Sequence, residues 1–116
     1  MIVVVRDQAT ASDIQKAREE YRDYIKVTVD LEIELVAIGG EYHADAEKVL
    51  IEEYDCKSEN ILGGGYNVKT KEYEFVAMIN IRPRSGNNSM EILDQHKRSR
   101  FEKIAQEKLM GIESFI

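Results

Sequence analysis

Residues 26–40 read KVTVDLEIELVAIGG, and this stretch decides the class of the fold. Apolar and polar residues alternate from Val27 to Leu35, which is the two-residue period of a half-buried β-strand. The segment forms either one long strand or a tight pair of strands. The glycine pair Gly39-Gly40 ends it. Since helical patterns lie on both sides of this β-structure, the chain is predicted to adopt an α+β fold.

Three other segments carry apolar residues at helical spacing. The first predicted helix covers Ser12–Ile25 and opens with a capping-box pattern of Ser12 and Gln15. The second covers Ala44–Tyr54. The third begins after the N-cap Asp94. Its apolar stripe consists of Phe101, Ile104, Ala105, Leu109 and Ile112.

The remaining apolar runs are predicted strands. Ile2–Val5 is the first strand, and Asn60–Val68 and Tyr73–Ile81 are the arms of a hairpin, with Gly63 to Gly65 forming a bulge or bend in its first arm. In the second arm, alternate residues are assigned to the core, namely Tyr73, Phe75, Ala77, Ile79 and Ile81. The predicted order is β-α-β-β-α-β-β-α. Residues 1–116 are thus expected to form a single α+β domain, with a mixed sheet of about five strands covered by three helices.

Composition excludes several classes of protein. Of the 116 residues, 43% are apolar and 33% are charged, which is unlike a disordered or collagenous chain. The net charge of −6 argues against binding of duplex nucleic acid. No apolar run approaches the roughly 18 residues of a membrane span, and the opening MIVVVRDQ lacks a signal-peptide core, so a cytoplasmic location without membrane association is expected. The single Cys56 excludes a disulfide framework and a multi-cysteine zinc site.

Positive charge is concentrated near the C-terminus, in the third predicted helix. Its basic residues are Lys97, Arg98, Arg100 and Lys103. Because acidic residues are interspersed with them, we interpret this cluster as the solvated face of a helix.

The first chemically dense stretch is IGGEYHADAE, residues 38–47. Glycines before a helix start allow a ligand close to free backbone N–H groups, and His43 could act as an acid, a base or a metal ligand. The alternative is structural, since Asp45 and Glu47 complement a helix dipole and the glycine pair makes a turn. His43 and Glu47 share a helix face, but two ligands are too few for zinc, so no metal site is predicted.

The second dense stretch is INIRPRSGNNSME, residues 79–91. Asn80 and Arg82 are predicted on one face of the strand. Arg82 and Arg84 offer guanidinium groups, and Asn87 an amide, which suit a carboxylate or phosphate. The alternative is that the arginines pair with the acidic first part of the chain and fix a loop.

Both stretches follow predicted strands, and parallel strands would bring them to one edge of the sheet. We therefore expect a shared site. The candidate ligand-binding residues are Gly39, Gly40, His43, Asn80, Arg82, Arg84 and Asn87, and the catalytic candidates are His43, Asp45 and Arg82.

Both motifs resemble those of a family of small bacterial and archaeal proteins known as a domain of unknown function. The resemblance rests on residues 38–47 and 79–92, with Asp30-Leu31-Glu32 leading into the first motif, and it extends over nearly the whole chain. It implies no activity, cofactor or catalytic residue.

Three functions are compatible with these residues. The leading hypothesis is a binding module for an anionic small molecule or an acidic segment. The second is a small hydrolase of a phosphoester or amide, in which His43 is the general base, Asp45 or Glu47 orients it, and Arg82 stabilises negative charge. The third is a protein-interaction partner, one member of a two-gene pair.

We also expect a homodimer. A sheet of short strands leaves two edges, and the apolar residues Met110, Ile112, Phe115 and Ile116 continue to the C-terminus. The alternative is that this tail folds back onto its own sheet.

Overall fold

The computed structural model describes residues 1–116 as one sheet with helices on both of its faces. The strands are β1 (Val3–Val5), β2 (Tyr24–Asp30), β3 (Leu35–Ile38), β4 (Ile61–Asn67) and β5 (Glu72–Glu74). The helices are α1 (Ala11–Ala17), α2 (His43–Tyr54) and α3 (Gln95–Lys108). The predicted α+β class, with five strands and three helices, is confirmed. None of the helices has the length and apolar character needed to cross a membrane.

The strand order is β1-β3-β2-β4-β5, and every neighbouring pair is antiparallel. The sheet is therefore wholly antiparallel, whereas the sequence analysis predicted a mixed sheet. Ile38, at the end of β3, pairs with Val27, whereas Leu35, at its start, pairs with Asp30. The Gly39-Gly40 pair thus lies at one end of the sheet and the turn between β2 and β3 lies at the other. The expectation that parallel strands bring both motifs to one edge is wrong.

The β2–β3 turn confirms the tight pair of strands rather than one long strand. Asp30 Oδ1 accepts hydrogen bonds from the N–H groups of Glu32 (2.8 Å) and Ile33 (3.1 Å). Glu34 adopts a left-handed conformation with φ of 56°. The turn interrupts the alternation of faces, so Ile33 is 55% exposed although the two-residue period assigned it to the face of Val27.

The first helix is shorter than predicted. It begins after Thr10, whose hydroxyl accepts from the Asp13 N–H (3.2 Å) while the Asp13 carboxylate accepts from the Thr10 N–H (2.9 Å). The capping box is therefore formed by Thr10 and Asp13, and not by the predicted pair of Ser12 and Gln15. The helix ends at Ala17, and the last two residues of the predicted helix, Tyr24 and Ile25, belong to β2, where Ile25 pairs with Tyr66 of β4. Long-range pairing overrides the helical spacing there.

The second arm of the predicted hairpin is also shorter. β5 ends at Glu74, and short 3₁₀ turns follow at Met78–Asn80 and Pro83–Ser85. Ile81 is consequently 43% exposed instead of lying in the core, whereas Asn80, assigned to the polar face, is fully buried.

Two apolar cores lie on opposite faces of the sheet. The larger one joins α1 and α3 to the sheet, and the smaller one joins α2 to it. Gly63, Gly64 and Gly65 pair with β2 in continuous register, so the predicted bulge is absent. A side chain at these positions would overlap a ring: a Cβ at Gly64 would lie 2.8 Å from the Phe101 ring, and one at Gly63 would lie 2.8 Å from the His43 ring.

A symmetric dimer remains our prediction. Both edge strands, β1 and β5, are three residues long, and Met110, Phe115 and Ile116 are exposed, whereas Ile112 is buried in the larger core. Light scattering at micromolar concentration should give twice the chain mass. A chain mass that persists on concentration would show that these surfaces stay free.

Candidate functional site

Arg82 lies in a polar contact between the loop after β5 and α2. Its Nη2 donates to Glu47 Oε2 at 2.7 Å, and its Nε donates to the Ile79 carbonyl at 2.9 Å. Its Nη1 donates to the carbonyl of Ser58 and, at 3.0 Å, to the Ser58 hydroxyl. Four of the five guanidinium N–H groups thus have partners within the protein. This is the arrangement that the alternative interpretation predicted, in which an arginine pairs with the acidic first part of the chain.

Two asparagines hold the same loop. The Asn80 side chain pairs with the backbone of Gly63, accepting from its N–H at 2.8 Å and donating to its carbonyl at 2.9 Å. The Asn87 Nδ2 donates to three carbonyl oxygens at 2.8–2.9 Å, and its Oδ1 accepts from the Leu93 N–H at 2.9 Å. Both amides therefore shape the loop instead of presenting free donors.

Arg82→Ala should destabilise the protein by about 2 kcal/mol. Breaking a buried ion pair costs about 3–5 kcal/mol, and we discount this figure because the Arg82 and Glu47 side chains are 19% and 18% exposed. Urea unfolding measures the effect. Arg84→Ala is the matched control, since Arg84 is exposed. Equal midpoints for the two variants would contradict the structural role of Arg82.

His43 is the first residue of α2, and its ring packs over β4. Its Nε2 lies 2.6 Å from the Gly64 carbonyl oxygen. Because a carbonyl only accepts, Nε2 carries the proton of the neutral ring. Burial lowers the pKa of His43 below its ordinary value and the positive charge of Lys26 lowers it further, while the Gly64 hydrogen bond opposes both effects. His43 is therefore neutral at pH 7.

This pKa shift predicts a pH dependence of stability. Below about pH 6.5 the histidine of the unfolded chain is protonated while folded His43 stays neutral. The free energy of unfolding therefore decreases as the pH decreases, until the pH reaches the lowered pKa of folded His43. Above pH 6.5 this contribution is complete. Urea unfolding of His43→Gln is measured between about pH 5 and pH 8, the range in which histidine titrates. The free energy of unfolding of the variant should decrease less on acidification than that of the parent protein. His96→Gln, at an exposed imidazole, is the control. An NMR titration that places the His43 pKa above 6.5 would contradict the prediction.

The Gly39-Gly40 pair packs against the start of the chain. Both glycines have positive φ, 85° and 92°. A Cβ on Gly39 would lie 2.8 Å from Ala17 Cα, and one on Gly40 would lie 2.7 Å from the Ile2 side chain. The glycines are required for this close packing and for the turn, which is the structural alternative considered for them.

A groove of about 830 Å³ lies at the opposite end of the sheet. It is bounded by the β2–β3 turn, by the loop at residues 80–87 and by the N-terminal half of α3. Of the predicted ligand-binding residues it contains Asn80, Arg82 and Asn87, whereas Gly39, Gly40, His43 and Arg84 do not line it. The groove thus takes in residues of the second motif only, although the two motifs meet beside it: Glu47, one helical turn after His43, contacts Arg82, and the His43 ring and the Asn80 side chain both pack at Gly63.

Lys97 and Arg100 of α3 also line the groove, and the sequence analysis missed them by assigning them to a solvated face. Asp94 Oδ1 accepts from the Lys97 N–H at 3.0 Å and so fixes the start of the helix, as predicted. Arg100 Nη2 donates to the Leu31 carbonyl and ties α3 to the β2–β3 turn. Neither cation forms an ion pair with a carboxylate. Lys97 and Arg100 are three residues apart, and this spacing could have indicated in the sequence that they share one face of the helix.

The groups predicted for hydrolysis do not meet in this groove. His43 lies outside it and donates to Gly64, while Arg82 is engaged by Glu47. Asp45 is exposed in the first turn of α2.

Burial, reinforced by neighbouring Asp30, raises the pKa of Cys56 to about 12, so its thiol is not an activated nucleophile. No cluster of three metal-ligating side chains is present.

Comparison with known proteins identifies the family. Residues 3–108 match the model of a family described as a protein of unknown function, DUF5674, and the chain belongs to this family. The resemblance to a domain of unknown function is thereby confirmed. No curated protein and no solved structure matches the chain.

Proposed function

We propose that this member of the DUF5674 family is a cytoplasmic binding module that holds an anionic small molecule in the groove beside α3. One observation carries the proposal: Lys97 and Arg100 line a groove of about 830 Å³, and neither has a carboxylate partner. Cavities of about 300–1,000 Å³ accommodate small ligands. The predicted class of ligand is kept, while the proposed position moves from the Gly39-Gly40/His43 turn with Arg82 and Arg84 to the groove beside α3.

The surroundings of the two cations are mostly polar, with apolar residues only at Leu31, Leu62, Ile92 and Leu93. Charge-assisted hydrogen bonds from Lys97 and Arg100 suit a carboxylate or phosphate. Arg82 fixes the loop opposite α3 through its contacts with Glu47 and Ser58.

A binding role accounts for the geometry better than hydrolysis does. A hydrolase needs a base and an anion-stabilising group within hydrogen-bond reach of one reacting atom. The ring of His43 packs at Gly63 and Gly64 and the guanidinium of Arg82 contacts α2, so neither is directed to a common substrate position.

Calorimetric titration with N-acetyl-trialanine, which carries a single carboxylate, tests the proposal. We expect binding, and we expect the double variant Lys97→Ala/Arg100→Ala to weaken it by at least about tenfold, since each charge-assisted hydrogen bond contributes about 1.5–3 kcal/mol. Lys103→Ala is the matched control, because Lys103 is an exposed cation of α3 outside the groove. Equal affinity in the double variant and the control would overturn the proposal.

A further inference from the structure

We propose that the ligand of this groove carries a cationic group as well as an anionic one, and is a zwitterionic molecule of the size of a short peptide. Its ammonium group faces Glu32, Glu34 and Glu59, and its anionic group faces Lys97 and Arg100. This inference rests on the proposed function and names the class of ligand for the same groove.

The groove has walls of opposite charge. Glu32 and Glu34 belong to the β2–β3 turn, and Glu59 lies just before β4. All three are exposed, and none forms an ion pair. These carboxylates share one cavity with Lys97 and Arg100, and no ion pair joins the two sets.

The other charged groups of the groove already have partners. Arg82 is paired with Glu47, and Asp94 caps α3 by accepting from the Lys97 N–H. Arg100 likewise donates to the Leu31 carbonyl, but its remaining N–H groups are free, so the charges we assign to the ligand are the carboxylates of Glu32, Glu34 and Glu59 and the cations of Lys97 and Arg100.

The backbone that carries both sets of charges is held in place by the fold. Asp30 fixes the β2–β3 turn through two backbone hydrogen bonds, and Arg100 binds the Leu31 carbonyl beside Glu32. Complementary charges on a fixed backbone favour a ligand with matching charges.

A ligand of one sign pairs with only one of the two sets of charges. A purely anionic molecule bound at Lys97 and Arg100 would leave the three carboxylates without a partner, and a purely cationic one would leave the two cations without a partner. A zwitterion satisfies both walls.

Three forms of one peptide test this inference at pH 7, where a peptide's amino terminus is largely protonated. They are trialanine with free termini, N-acetyl-trialanine without the ammonium group, and trialanine amide without the carboxylate. We expect free trialanine to bind at least about tenfold more tightly than either blocked form.

The acidic wall is tested with Glu32→Gln/Glu34→Gln. This variant should remove most of the advantage of free trialanine over N-acetyl-trialanine and should bind N-acetyl-trialanine no less tightly than the parent. Glu52→Gln, an exposed carboxylate of α2 outside the groove, is the matched control.

The outcomes separate the two proposals. Equal affinity for free and N-acetylated trialanine would overturn the zwitterion and leave the proposed function intact. Equal affinity for free trialanine and its amide would overturn both, because the anionic group would then contribute nothing. Failure of all three peptides to bind would likewise overturn both.

Discussion

Gly64→Ala is expected to destabilise the protein by about 3 kcal/mol, the upper end of the usual penalty for overpacking. The new methyl group would overlap the Glu74 carbonyl of β5 and approach the Phe101 ring of α3 to 2.8 Å. The Glu74 carbonyl belongs to the backbone of the sheet, so a change of side-chain rotamer cannot relieve this overlap. Urea unfolding measures the loss.

Gly86→Ala separates this overlap from backbone strain. A Cβ at Gly86 meets nothing within 4 Å, but φ there is +78°, so a left-handed penalty of about 1–2 kcal/mol remains. Gly64→Ala should lower the free energy of unfolding clearly more than Gly86→Ala does. Equal losses in the two variants would contradict the close packing of β4 between β5 and α3.

Asn80→Ala is expected to cost about 3 kcal/mol as well. It removes the three hydrogen bonds of a fully buried amide and leaves the N–H and carbonyl of Gly63 and the carbonyl of Met90 without that partner. Each buried polar group left unpaired costs about 1–3 kcal/mol. Urea unfolding measures stability, and hydrogen exchange at the Gly63 amide reports the local effect.

Asn88→Ala is the control for this change, since Asn88 is an exposed asparagine of the same loop. Asn80→Asp adds a second test. It keeps an acceptor for the Gly63 N–H but loses both donors, and should also be destabilising. Protection of the Gly63 amide that is unchanged in Asn80→Ala would contradict the role assigned to this side chain.

Local signals predicted α2 and α3 well. In α3 an N-cap at Asp94 and a continuous apolar stripe favour the same structure, and the stripe is buried as expected. The segment before β2 shows the opposite case. Ile25 continues the helical spacing of α1, but its pairing with Tyr66 decides the structure, and that contact lies 41 positions away along the chain.

The end of β5 was beyond prediction for a related reason. The alternation from Tyr73 to Ile81 favours a strand. The Asn80 side chain, however, bonds to the Gly63 backbone, taking a place that a strand residue would have filled. Nothing in the local pattern distinguishes a buried asparagine with three partners from an exposed one.

The site was predicted in part, because its position depends on the direction of the strands. Asn80, Arg82 and Asn87 line the groove, whereas the glycine pair and His43 lie elsewhere. Lys97 and Arg100 were missed because a basic helix face gives the same sequence pattern whether it faces solvent or a neighbouring loop.

NMR chemical-shift mapping tests the central claim, that ligands bind beside α3, most directly. On addition of trialanine to ¹⁵N-labelled protein, we predict that the largest shifts occur at the backbone amides of residues 31–34, 85–87 and 97–100. Shifts concentrated at Gly39 and Gly40 would contradict the account, because they would place the site at the other end of the sheet.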